Sequence, residues 1–145
     1  MQKLSVSNKQ FCTFYIDDLL LGVDVLEVQE ILKQQEITLV PLAIPAIRGL
    51  INLRGQIVTA IDLRYCLELP ERPSDSSLMN VIVQIGDALV SLIVDEVGDV
   101  IEFEAQDFES VPQHISPQLK HLLNGVYKLE NELLMVLNCA KIIEK

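Results

Sequence analysis

The amino-acid sequence predicts a mainly β protein, with its strands folded into small barrels or a sandwich and with a few short helices. Apolar runs are short, and even a clean run such as Leu133 to Leu137 has only the length of a strand. Turn-forming residues separate these runs at short intervals. Aromatic residues make up 5% of the 145 residues and Trp is absent, so Leu, Ile and Val must fill the core. These observations favour sheet over helix.

Strands are predicted in the first half of the chain wherever short apolar runs are bounded by turn residues. They lie at residues 11–16, 19–23, 37–40, 50–54 and 56–61. From Asp24 to Leu32 the pattern changes, because Val25, Val28 and Leu32 recur at i, i+3 and i+7. This spacing predicts a short amphipathic helix with Asp24 as its N-cap. On such a helix Val28 would stay partly open to a partner.

The proline- and serine-rich stretch 70–77 is typical of a linker. We therefore expect one domain over residues 1–145, with an N-terminal half at about 10–69 and a C-terminal half at about 78–145. Strands are predicted in the second half at residues 78–85, 88–94, 97–103, 126–129 and 132–137. Helical segments are predicted at residues 62–69, 117–124 and 139–143. The runs 81–83 and 92–94 are apolar at consecutive positions, which predicts strands covered on both faces.

Charge and cysteine usage restrict the partners and the compartment. The net charge is −10 and the isoelectric point about 4.5, so the chain repels phosphate backbones and anionic lipid head groups. Half of the residues are apolar, yet no run approaches the length of a membrane span. We expect no nucleic acid partner and no direct membrane insertion. Cys12, Cys66 and Cys139 are scattered without a CxxC motif, which indicates a reducing compartment and a cytoplasmic protein.

Acidic residues are concentrated between Arg72 and Lys120, where no Lys or Arg occurs. The stretch runs from Asp75 to Glu109. A solvated acidic face would keep an apolar protein in solution. The alternative is a patch that attracts basic partners, and the sequence leaves both interpretations open.

A search for catalytic, metal-binding and cofactor-binding motifs gives nothing. The glycines form neither a dinucleotide-binding nor a phosphate-binding loop. His114 and His121 have no Cys or carboxylate at ligand spacing. The group Asp95, Glu96 and Asp99 lacks the order of a calcium loop. We therefore predict no catalytic residue, no metal, no cofactor and no enzyme activity.

One segment carries a distinctive pattern, Gly49 to Val58, which reads GLINLRGQIV and is followed by Asp62-Leu63-Arg64. From the residues alone, Arg54 and Arg64 would pair with local acids such as Asp62. The segment resembles the pattern G-x-x-N-L-R-G-x-[IV]-x-P-[IV]-x-D-L-R of the CheW family of bacterial chemotaxis coupling proteins. Three further segments resemble that family in the same order: 14–31, 94–100 and 124–126. Thr59 departs from the pattern, which has Pro at that position.

The resemblance implies two five-stranded SH3-like β-barrels that share an apolar interface. It also implies an adaptor that couples the regulatory domain of the histidine kinase CheA to the cytoplasmic tips of chemoreceptors, the latter through a groove between the barrels. The positions that it assigns to protein binding, together with their neighbours, are Val25, Val28, Glu30, Gly49, Asn52, Arg54, Gly55 and Arg64. If Leu53 and Arg54 alternate on a strand, Arg54 points outward.

Other functions stay open at this point. The chain could serve a different chemosensory pathway, such as pilus motility, or regulate a kinase without binding receptors. A small-ligand binder that uses the groove between the barrels would need convergent polar groups in a cavity, and the sequence supplies none.

Overall fold

A computed structural model describes residues 8–41, 44–70 and 77–143. These residues form ten strands, β1 to β10, in two five-stranded sheets. The first five are β1 Asn8–Ile16, β2 Leu19–Asp24, β3 Val28–Lys33, β4 Ile47–Leu53 and β5 Gln56–Asp62. The others are β6 Met79–Ile85, β7 Ala88–Val94, β8 Glu96–Glu104, β9 Leu123–Lys128 and β10 Leu133–Leu137. The predicted mainly β class with few short helices is confirmed.

Three short α-helices punctuate the described chain: α1 Leu63–Cys66, α2 Pro117–His121 and α3 Cys139–Ile142. Each has a side-chain N-cap. Asp62, Ser116 and Asn138 accept hydrogen bonds from the backbone N–H groups three residues further on. The helix predicted at 117–124 therefore begins as expected but ends earlier, because its last residues join β9.

The chain divides into two compact units. Unit 1 consists of the chain up to Val25 and from Gly98 onward, and unit 2 consists of Leu26–Val97. The predicted division into halves at 70–77 does not coincide with these units, and residues 71–76 lie outside the described part. The reason is long-range pairing. Strand β2 pairs in parallel with β10, so the two ends of the chain build one sheet.

The sheet of unit 1 has the order β8-β1-β2-β10-β9. Its β1–β2 hairpin turns at Asp17, whose φ of 54° suits a tight turn, as the acidic pair at 17–18 predicted. The core of this unit contains Phe11, Leu20 and Tyr127 together with Leu134 and Val136.

The sheet of unit 2 has the order β3-β6-β7-β5-β4. The two orders are equivalent: each sheet has a central antiparallel hairpin, then a parallel neighbour, then an antiparallel edge strand. The core of unit 2 is aliphatic and consists of Ile51, Leu53, Val58, Ala60, Ile82 and Ile93. Residues 81–83 and 92–94 are buried throughout, which confirms that these strands are covered on both faces.

The helix predicted from Asp24 to Leu32 is wrong. Val25–Glu27 form a single 3₁₀ turn, and Val28–Lys33 form β3, which pairs antiparallel with β6. Burial alternates along β3. A bulge between Val28 and Glu30 adds one residue to the strand. The strand predicted at 37–40 is also wrong in extent, because only Thr38 forms a bridge, to Leu50.

Candidate protein-interaction site

The turn between β4 and β5 is the most exposed part of the distinctive segment. Arg54 and Gly55 are its two central residues, with φ values of 53° and 88°. Positive φ at both positions is the requirement of a type I′ hairpin turn. The Asn52 side-chain oxygen accepts a hydrogen bond of 2.8 Å from the Gly55 N–H. Gly55 supplies the backbone freedom and Asn52 fixes the turn from inside the segment.

Arg54 is therefore a turn residue and not a strand residue. Arg54 does not alternate with Leu53 on a strand as predicted, although its side chain is exposed, at 69%. Its guanidinium donates to the carboxylate of Glu30 on β3. Because β3 and β4 are the two edge strands of the sheet, this ion pair connects its opposite edges at the Arg54 turn. The structure thus brings together Glu30, Asn52, Arg54 and Gly55.

Val28 lies two residues before Glu30 in sequence and begins β3. It faces Val83 of β6 across the ladder and is half-buried. Leu32, expected on the same helix stripe, packs against the core of unit 2 instead. Val25 is half-buried in the 3₁₀ turn and is the last residue of unit 1. The predicted stripe of Val25, Val28 and Leu32 does not exist, because the segment is not a helix.

Gly49 is buried in β4, beside the bridge between Thr38 and Leu50. A Cβ atom added there would collide with the Thr38 carbonyl oxygen and the Ile37 side chain. Gly125 has the same position in unit 1, where a Cβ atom would meet Phe108 and the Glu109 carbonyl. Gly49 therefore allows a close approach of two backbones, which is a structural requirement of this edge.

Arg64 lies in a different environment from Arg54. Its side chain is 7% exposed, and it donates to the Asp95 carboxylate at 2.7 Å and to the Pro70 carbonyl oxygen at 2.8 Å. Asp95, between β7 and β8, keeps 25% of its side-chain surface exposed. The expectation that the arginines pair with acids agrees with the structure, but the acids are Glu30 and Asp95. Asp62 lies 3.7 Å from Arg48 instead.

Ile57 is a residue that the sequence reasoning missed. It lies opposite Asn52 on β5 and is 60% exposed. The two-residue turn at Arg54-Gly55 could have identified it, since that turn places Gln56 opposite Leu53 and Ile57 opposite Asn52. A polar partner on the same face indicates that Ile57 points outward. The exposed end of the β4–β5 hairpin thus combines one apolar side chain with the charged pair.

Among residues 8–41, 44–70 and 77–143 no helix is long and apolar enough to cross a membrane. The same ranges contain no group of three or more His, Cys, Asp or Glu side chains that could hold a metal ion.

Comparison with known proteins identifies the family of this chain. The family model of the CheW-like domain matches residues 10–145 of this sequence. The chain belongs to the CheW family. It is 32% identical to the chemotaxis protein CheW of Bacillus subtilis, over 96% of this chain and 89% of that protein. It is 30% identical to CheW of Treponema pallidum, over 96% of this chain and 85% of the relative.

A solved structure gives the same fold. The crystal structure of the scaffolding protein TtCheW from Thermoanaerobacter tengcongensis superposes with a TM-score of 0.80 and 29% identity. The match covers 90% of this chain and 88% of that one. The family membership and the SH3-like fold class are confirmed. Because the family consists of scaffold proteins, this chain is a chemotaxis scaffold protein and not an enzyme.

Proposed function

We propose that this chain is a cytoplasmic adaptor that couples the regulatory domain of the histidine kinase CheA to the cytoplasmic tips of chemoreceptors. The observation that carries the proposal is the exposed end of the β4–β5 hairpin, where Arg54 is held on the Asn52–Gly55 turn beside Glu30. An exposed guanidinium fixed in one place, next to exposed Ile57, is typical of a protein-recognition surface.

Seven of the eight predicted binding residues have different roles under this proposal, and Val25, in the 3₁₀ turn, is given none. Glu30, Asn52, Arg54 and Gly55 form or fix the recognition turn, and Val28 borders it on β3. Gly49 keeps the edge of unit 2 closely packed. Arg64, buried against Asp95, supports unit 2 from inside and makes no direct contact with a partner.

The test is a pair of separate pull-downs, one with receptor signalling tips and one with the kinase's regulatory domain. An exposed ion pair contributes about 0–1 kcal/mol to folding, so Arg54→Glu should keep the melting temperature within a few degrees. We expect it to lose at least one of the two partners. Arg48→Glu is the matched control, since Arg48 is also an exposed arginine of unit 2 and should keep both.

The outcomes distinguish the alternatives. Binding of both partners by the wild-type chain supports the adaptor. Binding of the kinase domain alone would instead indicate a module that regulates the kinase without binding receptors. Unfolding of Arg54→Glu, or full binding by it, would contradict the recognition role of Arg54.

A further inference from the structure

The sequence Asn124-Gly125 in β9 is a chemically labile link of the chain. The backbone nitrogen of the residue that follows an asparagine can attack the asparagine carboxamide, and a side chain on that following residue obstructs the attack. Glycine has no Cβ atom and leaves the approach open. Asn124 is the only asparagine of the sequence that is followed by glycine. This attack is therefore unobstructed at one position of the chain.

The fold requires the glycine at this position. Gly125 is buried, and a Cβ atom added there would collide with the Phe108 ring and the Glu109 carbonyl oxygen. Beside it, Glu109 and Val126 bridge the two segments through two backbone hydrogen bonds of 2.9 Å. The labile link thus cannot be removed by exchanging the glycine unless this edge moves apart.

The Asn124 side chain is tied to α3. Asn124 is exposed, but its side-chain oxygen accepts a hydrogen bond of 2.9 Å from the Asn138 side-chain amide. Asn138 is itself fixed from two sides. Its side-chain oxygen caps α3 by accepting from the Lys141 N–H, and its backbone N–H donates to the Leu122 carbonyl oxygen at 2.8 Å. Asn138 therefore anchors the carboxamide that would react.

The attacking nitrogen is held as well. Gly125 pairs with Val136 of β10, and the register shifts between Val136 and Leu137, so Asn124 lies at an irregular point of the ladder. For the reaction, the Gly125 nitrogen must reach the Asn124 side-chain carbon, so the ladder and the hydrogen bond from Asn138 must both open. Local opening of this kind needs less free energy than global unfolding. The reaction therefore depends on the opening of this edge of unit 1.

We propose that Asn124 is a site of spontaneous deamidation and that Asn138 is the positioning residue that controls its rate. The Gly125 nitrogen bonds to the Asn124 side-chain carbon and loses its proton, and the carboxamide nitrogen gains that proton and leaves as ammonia. Water then opens the resulting succinimide ring at either carbonyl, which yields aspartate or isoaspartate. The proposal concerns unit 1 alone and does not depend on the partners proposed for the β4–β5 hairpin.

The two products affect unit 1 differently. Aspartate keeps the backbone unchanged, and its carboxylate can accept the same hydrogen bond from Asn138. Isoaspartate carries the main chain through the side-chain carbon, which lengthens the backbone immediately before the close approach at Gly125. A closely packed edge cannot take up the extra length without shifting its neighbours. Isoaspartate should therefore destabilise unit 1, whereas aspartate should not.

The experiment incubates the full chain in mildly alkaline buffer, native or unfolded in urea, and follows residue 124 by mass-spectrometric peptide mapping. Asn131 is the internal reference, because it is exposed between β9 and β10 and is followed by glutamate. We expect Asn124 to react at least about tenfold more slowly in the native chain, the factor for an opening free energy of about 1.4 kcal/mol. A native rate that equals or exceeds the rate in urea would refute the protection. If Asn124 reacts no faster than Asn131 in urea, the site is refuted.

Two variants test the role of Asn138. Asn138→Ser keeps a side chain that can cap α3 but removes the amide that donates to Asn124. In the native state it should deamidate about two- to tenfold faster than the wild type, the factor for one lost hydrogen bond. Tyr15→Phe is the matched control, because it removes a different hydrogen bond of unit 1, to Glu132, and should keep the wild-type rate. A wild-type rate in folded Asn138→Ser, or an equal acceleration in Tyr15→Phe, would contradict the positioning role.

Thermal melts separate the two products. Asn124→Asp should melt like the wild type, whereas chain enriched in isoaspartate by incubation in urea and then refolded should melt several degrees lower. Equal melting temperatures of the two samples would contradict the effect assigned to the longer backbone.

Discussion

The ion pair between Arg64 and Asp95 allows a quantitative test of whether Arg64 supports the fold or binds partners. Arg64→Met keeps much of the apolar stem and volume but removes the charge. Removal of one partner from a fully buried pair costs about 3–5 kcal/mol, whereas a surface pair is worth about 0–1 kcal/mol. Arg64 is 7% exposed, but Asp95 keeps 25% of its side-chain surface in water, which lowers the cost of removing its Arg64 partner. We expect a loss of about 2–3 kcal/mol.

The assay is urea unfolding followed by circular dichroism, with a thermal melt beside it. For a chain of this length, 1 kcal/mol corresponds to about 3–4 °C, so the melting temperature should fall by about 6–12 °C. Asp95→Asn and the double variant complete a cycle, in which the double variant should be more stable than the sum of the two single losses implies. Below the unfolding transition, Arg64→Met should bind receptor tips and the kinase domain normally.

Two results would refute this reasoning. A loss below about 0.5 kcal/mol would place Arg64 among ordinary surface residues. An unchanged stability combined with lost binding would make it a recognition residue, as the resemblance to the family motif implied.

The remaining predictions concern single positions. Gly49→Ala and Gly125→Ala should each lower the free energy of unfolding, measured in urea, by about 1–3 kcal/mol, because the added Cβ atom meets neighbouring backbone. An unchanged free energy of unfolding would show that these edges can move apart. Val28→Thr keeps the β-branched shape, so the melting temperature should change little. Its binding to receptor tips, measured by calorimetry, should weaken about three- to tenfold. Unchanged affinity would exclude Val28 from the docking surface. Half-buried Cys66 should react with a thiol reagent in the native protein before Cys12 does. Burial and the charge of Asp24 raise the pKa of the Cys12 thiol and so lower its thiolate fraction. Equal reaction rates of Cys66 and Cys12 would contradict the burial of Cys12.

Turn-forming residues were the feature of the sequence that predicted the structure most accurately. The β1–β2 and β6–β7 hairpins were predicted because Asp17 and Gly86 sit between apolar runs, and both adopt positive φ. The segment from Asp24 to Leu32 failed for an equally local reason. Val28 and Leu32 are four residues apart, a spacing that places them on one face of a helix and also on one face of a strand, as the alternating burial along β3 shows. Nine residues cannot distinguish a bulged strand from a short helix.

The site was harder to predict because it depends on partners distant in sequence. Arg54 and Arg64 look alike within one motif, yet exposed Arg54 pairs with Glu30 and buried Arg64 pairs with half-buried Asp95. Only the fold decides which acid each one meets. The rings of Phe11, Phe103 and Tyr127 pack together in unit 1, and this contact was missed for the same reason, because the three residues come from separated strands.

The way unit 2 interrupts unit 1 has a consequence for folding during synthesis. Residues 26–97 are continuous, so unit 2 has all of its strands as soon as they have left the ribosome. The β1–β2 hairpin is made before unit 2 but must wait for β10, its parallel partner, which is translated after unit 2. Until then the edge of β2 stays open to other strands. The order of synthesis thus favours early folding of the inserted unit, and the outer unit closes only after β10 has been translated.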